Sequence, residues 1–242
     1  MFSIIGSVVW GMSRLLHCRP FDPGIVKPKT SSLEALVAVT CSIFILSLLN
    51  KQLFAGGPLE SGPSFENIGI LIPSIIAFSI FLLPAGIFLI KAHEPLKSVG
   101  ITKTNLWQSV LIGTGLALLT FYLQYDGLLA VLKVIKPRHG ISFIYFALIG
   151  FEEELLFRGY LQTRLIAWLG KWQGWLLASV IMAIAHFPIR MVIENKDLGT
   201  AFINSCSLIP ASIFFGFIML RTKNVLAPAI LHTFTGWVST LD

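Results

Sequence analysis

The chain has 242 residues, of which 55 % are hydrophobic and only 12 % charged, and its formal net charge is +6. Soluble domains carry roughly 25 % charged residues, so this composition excludes a water-bathed globular protein and predicts an all-α, polytopic transmembrane bundle. The positive balance does not indicate nucleic acid, because the basic residues form no run and are spread through loops, where they set topology beside anionic lipid.

In chain order, Met1 to Met12 is apolar but too short to span, and its charges follow it, the reverse of a secretory signal. An interfacial helix is expected there, with an eighth crossing as the alternative. Apolar spans follow at Leu33 to Asn50, Ile68 to Ile90, Leu106 to Gln124, Ile141 to Trp168, Trp175 to Ile189, Ala201 to Leu220 and Val225 to Leu241. Each approaches the ~20 residues that cross a ~30 Å hydrocarbon core, giving about seven or eight membrane helices. Gly56-Gly57-Pro58, Lys91 to Lys103, Lys136-Pro137-Arg138 and Arg221 to Asn224 separate them. Most basic loop residues, among them Arg14, Arg19, Lys97, Lys103, Lys171 and Lys223, fall on one side when the N-terminus is placed in the cytoplasm.

Residues 1–140 read as an amino-terminal membrane region and 141–242 as a catalytic core, together one integrated membrane domain. Cys18, Cys41 and Cys206 lack the spacing of a disulfide or thiolate metal framework. Trp107, Trp168, Trp172, Trp175 and Trp237 lie near span ends as interfacial anchors. Pro188 and Pro210 are placed to bend helices and widen a cavity.

The chemistry is concentrated in the fourth span. Glu152, Glu153, Glu154 and Arg158 lie in one apolar helix, where each charge costs roughly 2.5 to 3.5 kcal/mol at a bilayer centre unless paired or wetted. On an α-helix Glu154 and Arg158, at i and i+4, share a face, whereas Glu153 is turned by about 140° from the arginine. Glu154-Arg158 is therefore expected to be an orienting pair, which leaves Glu153 as the carboxylate free to act as general base.

His186 and His232 also fall in apolar spans. One histidine in a hydrophobic helix is usually a satisfied core residue; two with a glutamate cluster invite a catalytic reading. At 1.5 Å per residue, Glu153, His186 and His232 lie roughly 20, 17 and 10 Å from the inner ends of their spans, so one cavity opening to the cytoplasmic side can hold all three. Water between a carboxylate and an imidazole can attack an acyl carbon while the second imidazole stabilises the oxyanion. No Gly-x-Ser-x-Gly elbow or base-paired cysteine offers a covalent route. The same three side chains offer a Zn²⁺ site as the alternative cofactor, although the His-Glu-x-x-His helix motif is absent. No cofactor is the expectation. Buried Glu, His and Arg also suit a transporter, but no inverted repeat is visible.

The run Glu153-Glu154-Leu155-Leu156-Phe157-Arg158-Gly159-Tyr160 is similar to the Glu-Glu-x-x-x-Arg signature of the CAAX protease and bacteriocin-processing family, which includes the type II CAAX prenyl endopeptidases and abortive-infection-type proteins. Met182-Ala-Ile-Ala-His186 resembles its Phe-x-x-x-His motif. His232-Thr-Phe-Thr-Gly236, after Leu226-Ala-Pro228, resembles its His-x-x-x-Asn motif, with Gly236 in place of Asn. The resemblance covers residues 141 to 242. It implies an intramembrane endopeptidase in which Glu153 and His186 activate water, His232 stabilises the oxyanion, and Glu154 and Arg158 support the site. It also implies a hydrophobic or lipidated peptide substrate and surrounding membrane lipid as partners. The membrane would be the cell (inner) membrane in a bacterium or the endoplasmic reticulum in a eukaryote. Gly236 removes the family's second oxyanion donor, which leaves recruitment of Thr233 or Thr235, or a non-catalytic immunity or scaffold protein, as alternatives.

Overall fold

The computed structural model describes residues 2–20, 22–53, 65–125, 127–192 and 194–241, so the expected break at Gly56-Gly57-Pro58 lies outside the described residues. These residues form helices, and no strand occurs among them: α1 (Phe2–Leu15), α2 (Pro28–Leu53), α3 (Leu71–Lys91), α4 (Leu106–Tyr125), α5 (Leu128–Val134), α6 (Pro137–Glu154), a π-helical segment (Leu155–Gln162), α7 (Thr163–Leu169), α8 (Lys171–Val192), α9 (Leu198–Cys206), α10 (Ile209–Thr222) and α11 (Leu226–Val238). The all-helical architecture expected from composition is thus present.

Among the described residues, five stretches are long and apolar enough to cross a membrane: Pro28–Leu48, Ile68–Lys91, Leu106–Tyr125, Lys171–Val192 and Leu198–Thr222. The fourth expected span is one continuous helical rod from Pro137 to Leu169, but its glutamates and arginines keep it outside the apolar class. The seventh corresponds to the 13-residue α11. At 1.5 Å per residue this helix is about 20 Å long, short of a ~30 Å core.

Local chemistry sets the helix starts. Pro28 and Pro137 open α2 and α6, where a fixed φ is pre-organised and no backbone N–H is needed. The His139 imidazole accepts from the Lys136 backbone N–H at 3.0 Å, satisfying a donor at the α6 entrance. Pro210 lies at the start of α10, after the break at Ser207 and Leu208 that divides α9 from α10.

Three apolar clusters hold the bundle. One joins α2, α3, the π segment, α7 and α8 through Ala35, Phe81, Leu156, Phe157, Leu165 and Ala178. A second seats Val9 of α1 among Ile112 and Leu116 of α4, Phe214 and Ile218 of α10, and Ala227 and Leu231 of α11. A third is aromatic, with Phe121, Phe143, Phe234 and Trp237 in edge-to-face contact where α4, α6 and α11 meet.

The α6–α11 contact is close because glycines lie in it. A Cβ on Gly150 would stand 2.8 Å from the Thr233 amide nitrogen, and one on Gly236 would run into the Phe146 ring. The Trp237 indole N–H then donates to the His139 carbonyl at 2.8 Å, tying the far ends of the two helices together.

A buried polar network secures the other flank. The fully buried Arg164 guanidinium pairs with Glu94, donates to Ser98 Oγ at 3.1 Å and to the Tyr160 carbonyl at 3.0 Å, and lies over the Tyr160 ring. Glu94 also accepts from Ser31 at 2.7 Å. The network reaches the connection after α3 through Glu94 and Ser98 and α2 through Ser31, so it fixes these two and the rod carrying Glu153 relative to each other.

Candidate active site

Glu153 and Glu154 lie at the end of α6, and Arg158 lies in the π-helical segment that follows. That segment buries every residue from Leu156 to Gln162, so the rod is enclosed on all sides at this depth. Widened π turns of this kind are frequently found at functional sites. α8 supplies His186 and α11 supplies His232.

The five expected site residues fall into two linked sets. Glu153 Oε2 lies 3.6 Å from His186 Nε2. Glu154 accepts from His232 Nδ1 at 3.0 Å through one oxygen and stands 3.2 Å from Arg158 Nε through the other. Three of the five are partly open, with Glu153, His186 and His232 side chains 22 %, 18 % and 21 % exposed. Glu154 and Arg158 are sealed, at 0 % and 2 %. Burial therefore separates the partly open Glu153, His186 and His232 from the enclosed Glu154 and Arg158.

Hydrogen bonding fixes what each imidazole can do. His186 Nδ1 is 2.8 Å from the Met182 carbonyl, which can only accept, so Nδ1 carries a proton. In neutral His186 the Nε2 lone pair then faces the Glu153 carboxylate. Two acceptors face each other there, and a shared proton or a bridging water reconciles them. At position 182 this hydrogen bond uses the backbone alone, so it does not depend on which side chain stands there.

His232 donates Nδ1–H to Glu154, which leaves Nε2 as the outward nitrogen. It donates from Nε2 only as the imidazolium. Phe215 lies against the His232 ring at 5.4 Å between centroids and also lies under the Arg158 guanidinium at 5.7 Å. Arg158 donates to the Ser212 carbonyl at 3.4 Å, but its Nε–H is not aligned with Glu154 as a hydrogen bond, and Nη1 has no partner among the described residues.

Gly236 lies one turn beyond His232 on the same face of α11, and the Phe146 ring fills the space beside it. Neither threonine replaces the missing donor. Thr233 donates its hydroxyl to the Ala229 carbonyl at 2.8 Å, and Thr235 donates to those of Leu231 and His232 at 3.0 and 2.9 Å. Each hydroxyl has one proton, so both are committed to their own helix.

No three of the described His, Cys, Asp and Glu residues gather into a metal-holding group. The two histidines are engaged by different carboxylates, His186 by Glu153 and His232 by Glu154. No step of the chemistry below passes through a metal.

The link between Glu154 and His232 was outside the reach of sequence reasoning, since the two residues are 78 positions apart and no local pattern connects them. Phe146 and Phe215 were equally hidden, because an aromatic in an apolar span gives no sign of which helix it faces. Glu152 is 4 % exposed, and its Oε2 has no partner among the described residues.

Comparison with known proteins finds that residues 138–238 match the family described as type II CAAX prenyl endopeptidase, Rce1-like. No curated protein and no solved structure matches the chain. The matched stretch runs from the start of α6 to the end of α11 and contains every residue of the site.

Proposed function

We propose, on the premise that residues 138–238 form a domain of the Rce1-like type II CAAX prenyl endopeptidase family, that the chain is an intramembrane endopeptidase with a glutamate-type, metal-free mechanism. The observation that carries the reading is the partly exposed Glu153–His186 pair beside a His232 anchored on a sealed Glu154.

Glu153 and His186 hold a water between them, and one water proton passes to this pair as the oxygen attacks the carbonyl carbon of a scissile peptide bond. Charge that develops on the carbonyl oxygen is met by Nε2–H of the His232 imidazolium. The proton taken from water is returned to the departing amine, and the two peptide products leave with Glu153 and His186 restored. Glu154 orients His232 and balances its charge, while Arg158 supplies the cation that keeps Glu154 tolerable in an apolar interior. The substrate is a hydrophobic or lipid-associated peptide reached within an integral membrane bundle, through a cavity opening to the cytoplasmic side.

Glu153→Gln removes the base at almost constant shape. Cleavage of a hydrophobic peptide by the full chain in detergent is expected to fall by at least ~100-fold, within the usual range for a general base, with insertion unchanged. Retained turnover would remove Glu153 from the mechanism.

A second reading, an inactive immunity or scaffold protein of this fold, is favoured by the Phe146 ring in the space beside Gly236. It is distinguished by a cellular effect that survives Glu153→Gln.

A further inference from the structure

A groove of about 390 Å³ runs along α4 and α10 with α11 as its floor. Leu119 and Leu123 of α4, Ala211 and Phe215 of α10, and Thr235 of α11 line it. It adjoins the site through shared residues. Phe215, one of its walls, is the ring that packs against His232, and Leu231 and Thr235 flank His232 on α11.

The same trough already holds apolar side chains elsewhere. Leu116, Phe214 and Leu231 belong both to the groove and to the cluster that encloses Val9 of α1, which is 0 % exposed. α1 therefore fills one end of a trough between α4 and α10, and the groove is the stretch that α1 does not reach. Leu123 at the rim is 54 % exposed, so the groove can be entered from the side.

We infer that this groove is a specificity pocket that takes a bulky apolar side chain of the peptide substrate close to the bond cleaved at His232. The inference rests on the endopeptidase reading of the site. A water occupies about 30 Å³ of liquid, so the groove has room for on the order of a dozen non-hydrogen atoms. That matches one tryptophan or phenylalanine, or a few aliphatic side chains, and lies at the lower end of ordinary ligand pockets. Thr120 and Gln124 at the α4 edge give a backbone passing the rim a place to hydrogen bond. α1, by closing the other end, limits the length of the side chain that fits.

The test is capture of a hydrophobic peptide library, randomised among Ala, Leu, Phe and Trp at each position, by the full chain in detergent carrying Glu153→Gln. Enrichment of large over small residues at one position is expected, by about tenfold or more, as burial of one large apolar side chain warrants. Ala211→Trp or Leu119→Trp, each checked for unchanged thermal unfolding, should fill the groove and abolish or reverse that enrichment. Capture without positional enrichment, no capture at all, or enrichment unchanged in both filled variants overturns the pocket. Loss of the enrichment in phosphatidylcholine nanodiscs assigns the groove to lipid and also overturns it. The same library with Glu153 intact separates the two claims: cleavage without positional preference overturns the pocket alone, and positional enrichment without cleavage overturns the endopeptidase reading alone.

Discussion

At the residue scale, the account depends on carboxylates that differ in what surrounds them. Glu154 is sealed between Arg158 and His232, whereas Glu153 faces His186 in a partly open space. The i, i+4 spacing made the first pair legible in the sequence, and the bond from Glu154 to His232 was not legible. Removing one partner of a buried pair leaves an uncompensated charge, which typically costs about 3–5 kcal/mol. Glu154→Ala is therefore expected to lower thermal stability sharply in detergent, and Glu154→Leu combined with Arg158→Met to recover most of it. Equal stability of Glu154→Ala and the parent would mean that the ion pair holds nothing. Gly236 supplies a second test at this scale. Gly236→Asn alone must displace the Phe146 ring and should lose activity, while Gly236→Asn with Phe146→Ala has room for the amide beside His232 and should exceed Gly236→Asn in kcat. If the double variant is no faster, the space beside His232 has no part in oxyanion binding.

At the scale of elements, the site is a product of how closely α6 and α11 approach. Gly150 permits the Thr233 backbone to lie against α6, and this sets how far His232 stands from Glu154. Gly150→Ala should push the helices apart, and a misplacement of about 1 Å is enough to cost ~100-fold in rate. Peptide cleavage is then expected to fall far more than unfolding temperature, with Gly140→Ala, which has open space around it, as the control that changes neither. The length of their apolar runs made the long spans α2, α3, α4 and α8 legible. They did not disclose that the fourth expected span is a rod with a π segment in its middle, because no residue pattern there distinguishes π from α hydrogen bonding. Nor did they give the brevity of α11, since the apolar run continues through Trp237 and Val238 to Leu241 while the helix ends at Val238.

At the scale of the whole molecule, two independent devices fix the rod that carries Glu153 and Glu154 and the helix that carries His232, while the first apolar cluster holds α8 and His186. The buried Arg164 network holds the rod against α2, and the aromatic cluster around Trp237 holds α11 against α4 and α6. The sequence showed the candidate residues and permitted a common depth for them. Their partners needed the tertiary packing, which no local spacing encodes. The expected orientation places Lys103 and Lys223 on the cytoplasmic side and Arg138 on the opposite one. Single cysteines introduced at these positions in a cysteine-free chain should be labelled by an impermeant thiol reagent from opposite sides of sealed vesicles. Labelling of all three from one face would overturn the orientation.

A double-mutant cycle on cleavage rate shows whether Glu153 and His186 act as one unit on one water. Glu153→Gln, His186→Ala and the combination should all be slowed to about the same residual rate, because groups that act together are strongly non-additive. Losses that multiply in the double variant would mean that the two residues work independently, and would contradict the account.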